Sequence, residues 1–207
     1  MMDTDSGARF RQLRAQVEAK IHNLLSEFAE GKISREQFQV IYARYDSQLL
    51  AAQKGLDVAD VSGGVDTMHV RNVHMGKALG LAIYHHRSGR LIDTLGAFDV
   101  PMARIGPILN DFSRLMESKR LIDRRIERIT DRAWLLFAPG EQTTVITLFH
   151  NEPSGSQIRE IERLHHDFEI ANEMSLMGNQ VDPTRLAYPF HVFIQQKLKH
   201  MNDDGDD

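Results

Sequence analysis

Ten histidines are the residues of this chain best suited to metal or proton chemistry, and four of them stand in adjacent pairs, His85-His86 and His165-His166. An imidazole ligates zinc and exchanges protons near neutrality. Neighbours on a strand point to opposite faces, however, and neighbours on a helix diverge by about a hundred degrees. Neither pair therefore converges easily on one ion. Zinc-binding helices place their ligands at i and i+4; the stretch around His165 has no His-x-x-x-His, and Asp167 and Glu169 set no metal spacing either. The histidines read as surface and hairpin-end residues, and no metal site is expected.

A second charged cluster runs from Lys119 to Arg132, where Asp123, Glu127 and Asp131 interleave with the arginines. That mixture partly cancels the field a phosphate would need and suggests a cross-strand ion-pair face. The segment has no aromatic platform for single-stranded nucleic acid. Cysteine is absent, so disulfides, thiolate nucleophiles and zinc–sulfur sites are excluded. No G-x-S-x-G, H-E-x-x-H or P-loop pattern occurs, and Gly63-Gly64 is not followed by the Gly-Lys-Ser/Thr step of a phosphate loop. The expectation is a chain without catalytic, cofactor-binding or metal residues. Trp134, the single tryptophan, reads as core packing, with partner anchoring the alternative.

Over 207 residues, 42% are hydrophobic and 26% charged, the balance of a globular chain, and the net charge of −4 supplies no basic field. Neither nucleic acid nor a membrane is expected as a partner. No run approaches the roughly 18 apolar residues of a membrane span. Met1 to Arg11 lacks the apolar core of a signal peptide, so a cytoplasmic location is expected.

These residues must be positioned by elements that the periodicity delineates. Residues 8–54 read as a helical hairpin. Phe10, Leu13, Val17, Ile21, Leu24, Leu25 and Phe28 recur at helical spacing, Gly31 stops the helix, and Ser34 with Gln37 makes a capping box, with Ile33 and Phe38 placed for a hydrophobic staple. The second helix carries Phe38, Ile41, Tyr42, Tyr45 and Leu49. Residues 55–77 read as a linker broken at Ser62-Gly63-Gly64, with Thr67 to Val73 either a short helix or an edge strand.

Residues 78–176 read as an α/β domain. Leu79–His85 and Leu91–Leu95 form a hairpin around Arg87-Ser88-Gly89-Arg90. A helix follows Pro101, its regular part starting at Pro107 because Gly106-Pro107 interrupts the pattern. Strands are expected within Leu121–Ile129 (where Ile122, Ile126 and Ile129 also suit a helix), Ala133–Ala138 and Thr143–Phe149, before a long helix opened by Ser154 and Gln157. Residues 177–201 read as a connector and a helix over Tyr188–His200, and 202–207 as a disordered acidic tail. The fold class is α+β: a five-stranded antiparallel sheet in the chain order ββαβββα, with flanking helices, an N-terminal hairpin and a C-terminal helix.

This order resembles the Roadblock/longin arrangement of the profilin-like class. The resemblance is carried by Leu81-Ala82-Ile83-Tyr84-His85-His86-Arg87-Ser88-Gly89-Arg90-Leu91-Ile92, by the helix after Pro101, and by Trp134-Leu135-Leu136-Phe137 with Thr144-Val145-Ile146-Thr147-Leu148. It implies a homodimer formed through edge strands and helices, and a small GTPase or another signalling or scaffold protein as partner. It brings no catalytic or cofactor residue. Leu24-Leu25-Ser26-Glu27-Phe28-Ala29-Glu30-Gly31-Lys32-Ile33-Ser34-Arg35-Glu36-Gln37-Phe38 resembles the SHOCT oligomerisation motif, which usually lies at a C-terminus.

A non-catalytic interaction and dimerisation module is the function these patterns suggest. Phe28, Phe38, Tyr42 and Tyr45 on the hairpin, with Phe190 and Phe193 near the C-terminus, are its expected partner-binding residues. The alternative is a ligand sensor of PAS or GAF type, with a pocket lined by Ile83, Leu95, Phe112 and Trp134. A hydrolase or metal-dependent enzyme ranks below both.

Overall fold

The computed structural model describes residues 3–53, 67–117 and 123–190. The chain divides into two compact units, Met1–Met75 with Glu152–Ser156, and Gly76–Asn151 with Gln157–Asp207.

The first unit is helical. Helix α1 (Asp3–Ala29) and helix α2 (Arg35–Gln53) form the expected hairpin, and α3 covers Thr67–Val73, so the segment read as helix or edge strand is a helix. The Ser62-Gly63-Gly64 break lies outside the described residues. Val17, Leu24, Ile33, Ile41 and Tyr45 are buried together, with Leu13, Ile21, Phe38, Leu49 and Val70 packed against them.

The second unit is built on a five-stranded antiparallel sheet. Its strands are β1 (Lys77–His85), β2 (Arg90–Gly96), β3 (Arg125–Arg128), β4 (Ala133–Pro139) and β5 (Thr143–His150), and its spatial order is β2-β1-β5-β4-β3. Helix α4 (Met102–Glu117) separates the two groups of strands; α5 (Gly155–Ala171) and the short α6 (Glu173–Leu176) follow them. The unit is thus α+β, with helices flanking the sheet.

Two cores explain why the inner strands read as continuous apolar runs. Leu81, Ile83, Leu136, Ala138, Val145 and Phe149 pack with Ile158, Ile161, Leu164 and Phe168 of α5. The alternate residues Tyr84, Leu135, Phe137 and Ile146 pack with Ile105, Ile108, Leu109 and Phe112 of α4. A strand buried on both faces has no polar side to alternate with.

Helix α4 starts at Met102, not at Pro107, and Pro107 lies inside it. Proline removes the bond to the carbonyl four residues back, here Ala103; both residues are exposed, so water can satisfy that carbonyl. Strand β3 is confined to Arg125–Arg128, within the ambiguous Leu121–Ile129 stretch, of which Leu121 and Ile122 lie outside the described residues. The helix read over Tyr188–His200 is described only to Phe190, and residues 191–207, with Phe193 and the acidic tail, lie outside as well.

Gly80 marks where the sheet admits no side chain. A Cβ built there would stand 2.5 Å from the carbonyl carbon of Ala97, whose N–H donates to the Leu79 carbonyl at 2.9 Å. At Gly106 in α4 a Cβ would meet nothing within 4 Å. Gly80→Ala should therefore lower the unfolding free energy by about 2–3 kcal/mol through overpacking against fixed backbone. Gly106→Ala should change it by less than about 1 kcal/mol, because the gain in helix propensity is offset by the Cβ that a pre-proline residue sets against the Pro107 ring. Urea titration of the two variants separates the large loss from the small change.

Candidate functional site

The hairpin is closed by backbone chemistry at its turn. Gly31, at φ 73°, adopts the left-handed conformation that an L side chain resists. Its N–H donates to the Phe28 carbonyl at 2.9 Å, and the Lys32 N–H donates to the Glu27 carbonyl at 2.8 Å; these are the two bonds of a Schellman stop. Helix α2 then opens with the expected capping box: the Gln37 N–H donates to Ser34 Oγ at 3.2 Å, and the Ser34 N–H donates to Gln37 Oε1 at 2.8 Å.

Polar contacts fasten the rest of this unit. The Gln37 side-chain amide donates to the Arg71 carbonyl at 2.7 Å, and the Arg71 guanidinium pairs with Glu27 at 2.6 Å. Glu152 accepts the Glu36 N–H at 2.9 Å, and the Ser156 N–H donates to the Gly31 carbonyl at 2.8 Å. Both helices are thus tied to Arg71, α1 through Glu27 and α2 through Gln37.

The flank that α1 and α2 share carries an aromatic stack. The rings of Phe28 and Phe38 lie 4.9 Å apart and those of Phe38 and Tyr42 lie 5.7 Å apart, both near parallel. Phe28 is 38% exposed and Tyr42 41%, while Phe38 is half-buried between them. Leu25, 46% exposed, sits one helical turn before Phe28 and extends the face.

The structure brings together three of the six expected partner-binding residues. Tyr45 is buried beneath the stack in the hairpin core. Phe190 is buried in the α5-side core, its ring 5.8 Å from that of Phe168; it serves packing within the chain. Phe193 lies outside the described residues. Leu25 joins the face although no spacing rule singles it out: adjacent Leu24 and Leu25 point about a hundred degrees apart on a helix, so Leu24 enters the core and Leu25 stays exposed.

His85, His86 and His165 serve the turns of the other unit. His85 is fully buried. Its Nε2–H donates to the Leu176 carbonyl at 2.9 Å, and the Ser88 N–H donates to its Nδ1 at 3.3 Å. His86 donates through Nδ1–H to the Glu141 carbonyl at 3.4 Å and accepts the Thr144 hydroxyl at Nε2, 2.8 Å away.

Glu169, near the end of α5, grips the β4–β5 turn. Its carboxylate accepts the backbone N–H groups of Glu141 at 2.9 Å, Gln142 at 2.9 Å and Thr143 at 2.7 Å, and the Thr143 hydroxyl at 2.8 Å. With that hydrogen committed, the Thr143 oxygen accepts from His165 Nε2–H at 2.7 Å. A hydroxyl, a histidine and a carboxylate thus meet, but not as a nucleophile–base–acid relay. In such a relay the carboxylate orients Nδ1 while Nε2 takes the proton; here Glu169 lies 3.6 Å from the same Nε2, and the hydroxyl donates into the carboxylate. The cluster is a structural clamp.

Elsewhere the chemistry is equally structural. Among the described residues no group of three or more histidines and carboxylates is placed to hold a metal ion. The arginines do pair with carboxylates, though not across strands. Arg124 reaches Glu162 of α5 at 3.0 Å, Arg125 binds Glu127 of its own strand, and Arg128 reaches Asp131 at 3.0 Å. Trp134 packs on the α5-side core with the Arg128 guanidinium 5.7 Å from its ring. The four residues read as a sensor pocket do not line one: Phe112 belongs to the α4-side core, whereas Ile83, Leu95 and Trp134 belong to the opposite one. Among the described residues, no helix is long and apolar enough to cross a membrane.

No family model and no curated protein matches the chain.

Burial pushes His86 and His165 down from 6.5 to about 4. Burial pushes Glu169 up, but His165 and the bonds from Thr143, Glu141 and Gln142 outweigh it, so its carboxyl ends below the ordinary range. The unfolded chain then binds protons that the folded chain refuses. Stability is full above pH about 6.5 and falls as pH drops toward 4, by up to about 3 kcal/mol for each histidine. Unfolding free energies measured from pH 7 to pH 4 should show that decline, and His165→Gln with His86→Gln should flatten it. A curve as steep in the double variant would remove the clamp from the account.

Proposed function

We propose that the chain is a non-catalytic protein-interaction module that self-associates through its helical hairpin. The α/β unit then serves as the platform for a second partner, a small GTPase or signalling protein in the reading its Roadblock-like order suggests. One observation carries the first part: Phe28, Phe38 and Tyr42 stack on the flank of the hairpin with the outer two rings well exposed. Aromatic side chains present large contact area at low entropic cost, and they are enriched at the buried centres of interfaces.

The occupant of that face is a second copy of this chain. A two-helix hairpin is thin, and pairing two of them makes a four-helix arrangement with a shared core. Light scattering on the full chain at tens of micromolar should report twice the 23.6 kDa chain mass. Phe28→Ser with Tyr42→Ser should weaken association at least about tenfold, in line with the loss of two interface aromatics. A 23.6 kDa species that persists to about 100 µM, beyond the range in which standard-size interfaces fill, would overturn the reading.

A further inference from the structure

The exposed strip of α2 is close to a charge palindrome. Arg35 and Asp46 are both exposed, stand at its two ends and are eleven residues apart. At 100° per residue that spacing returns to the same side of a helix within about 20°, with about 16 Å of rise between them. Tyr42 lies within about 20° of Arg35 on the same strip and Phe38 within about 60°. Counting inward, positive Arg35 and aromatic Phe38 on one side answer negative Asp46 and aromatic Tyr42 on the other, around a midpoint near Val40.

A sequence that reads charge–ring–ring–opposite charge is complementary to itself when reversed. A two-fold interface requires that property, because a patch must match its own rotated copy. On a parallel copy the same strip would set arginine against arginine and aspartate against aspartate, which costs rather than gains.

We infer that two copies pack their hairpin flanks antiparallel, with the two-fold axis crossing the strip at the axial level of Val40, so that each Arg35 meets Asp46 of the partner subunit and the rings of Phe38 and Tyr42 interleave between them. Leu25 and Phe28 of α1 widen the apolar centre on each copy. The inference rests on the self-association proposed above and adds its direction and register.

Charge reversal tests it. Arg35→Asp gives a strip negative at both ends, and Asp46→Arg one positive at both ends. Each variant alone turns two symmetry-related attractions into repulsions and should dimerise about tenfold more weakly than the parent. An equimolar mixture of the two should recover parental affinity, because a doubly negative strip fits a doubly positive one, and that recovery also shows that both variants fold. The doubly reversed chain, Arg35→Asp with Asp46→Arg, should dimerise like the parent. Single reversals without effect, in a chain whose dimer is still lost on Tyr42→Ser, would overturn the antiparallel register and leave the aromatic interface standing. A dimer indifferent to every one of these changes overturns the inference and moves the interface elsewhere. A parent that never dimerises removes both the register and the reading beneath it.

Discussion

The turn at Gly31 is the constraint on which the presented surface depends. A left-handed residue ends α1, the carbonyls of Glu27 and Phe28 are closed within two residues, and Ser34 reopens the chain as α2. With so short a connection the helices must run antiparallel, and each side chain of α1 faces a fixed level of α2. Phe28 therefore stacks on Phe38, and Phe38 on Tyr42. The inner faces supply a small core of Val17, Leu24, Ile33, Ile41 and Tyr45; the flank is what remains uncovered.

In the second unit the same economy directs polar groups inward. β5 is buried on both faces, so the sheet needs a helix on each side, and the turns at one end need donors and acceptors of their own. Glu169, His165, His86 and His85 provide them. Three of the four histidines in adjacent pairs, with Glu169, satisfy backbone groups and neighbouring hydroxyls. Their side chains are committed, and what this unit presents outward is chiefly its edge strands and the charged faces of its helices.

The parts of this architecture set by periodicity were legible from residues alone. The stop at Gly31, the Ser34–Gln37 box and the apolar runs of β4 and β5 each follow from local chemistry that tertiary context does not override. Other features depended on neighbours that a one-dimensional pattern does not contain. Pro107 is tolerated because Ala103 faces water. Phe190 is buried because it meets Phe168, and the arginines in and beside β3 find carboxylates on α5, on their own strand and in the turn that follows. Tyr45 is in the core and Leu25 on the surface for one reason: two amphipathic helices share a flank, and the boundary between core and flank falls within the apolar stripe. The stack itself was half legible, in that Phe28, Phe38 and Tyr42 were recognisable as sticky residues but not as one contiguous face.

Because the chain has no cysteine, a single spin label reports on association directly. Ser47→Cys places a label on α2 to one side of the aromatic strip. A two-fold near Val40 puts the two labelled positions about 20 Å apart along the helix direction. Electron paramagnetic resonance on the full chain at about 100 µM, well above the range in which standard-size interfaces fill, should then give one intermolecular distance distribution centred between about 20 and 40 Å. No dipolar coupling between copies at that concentration would contradict the account.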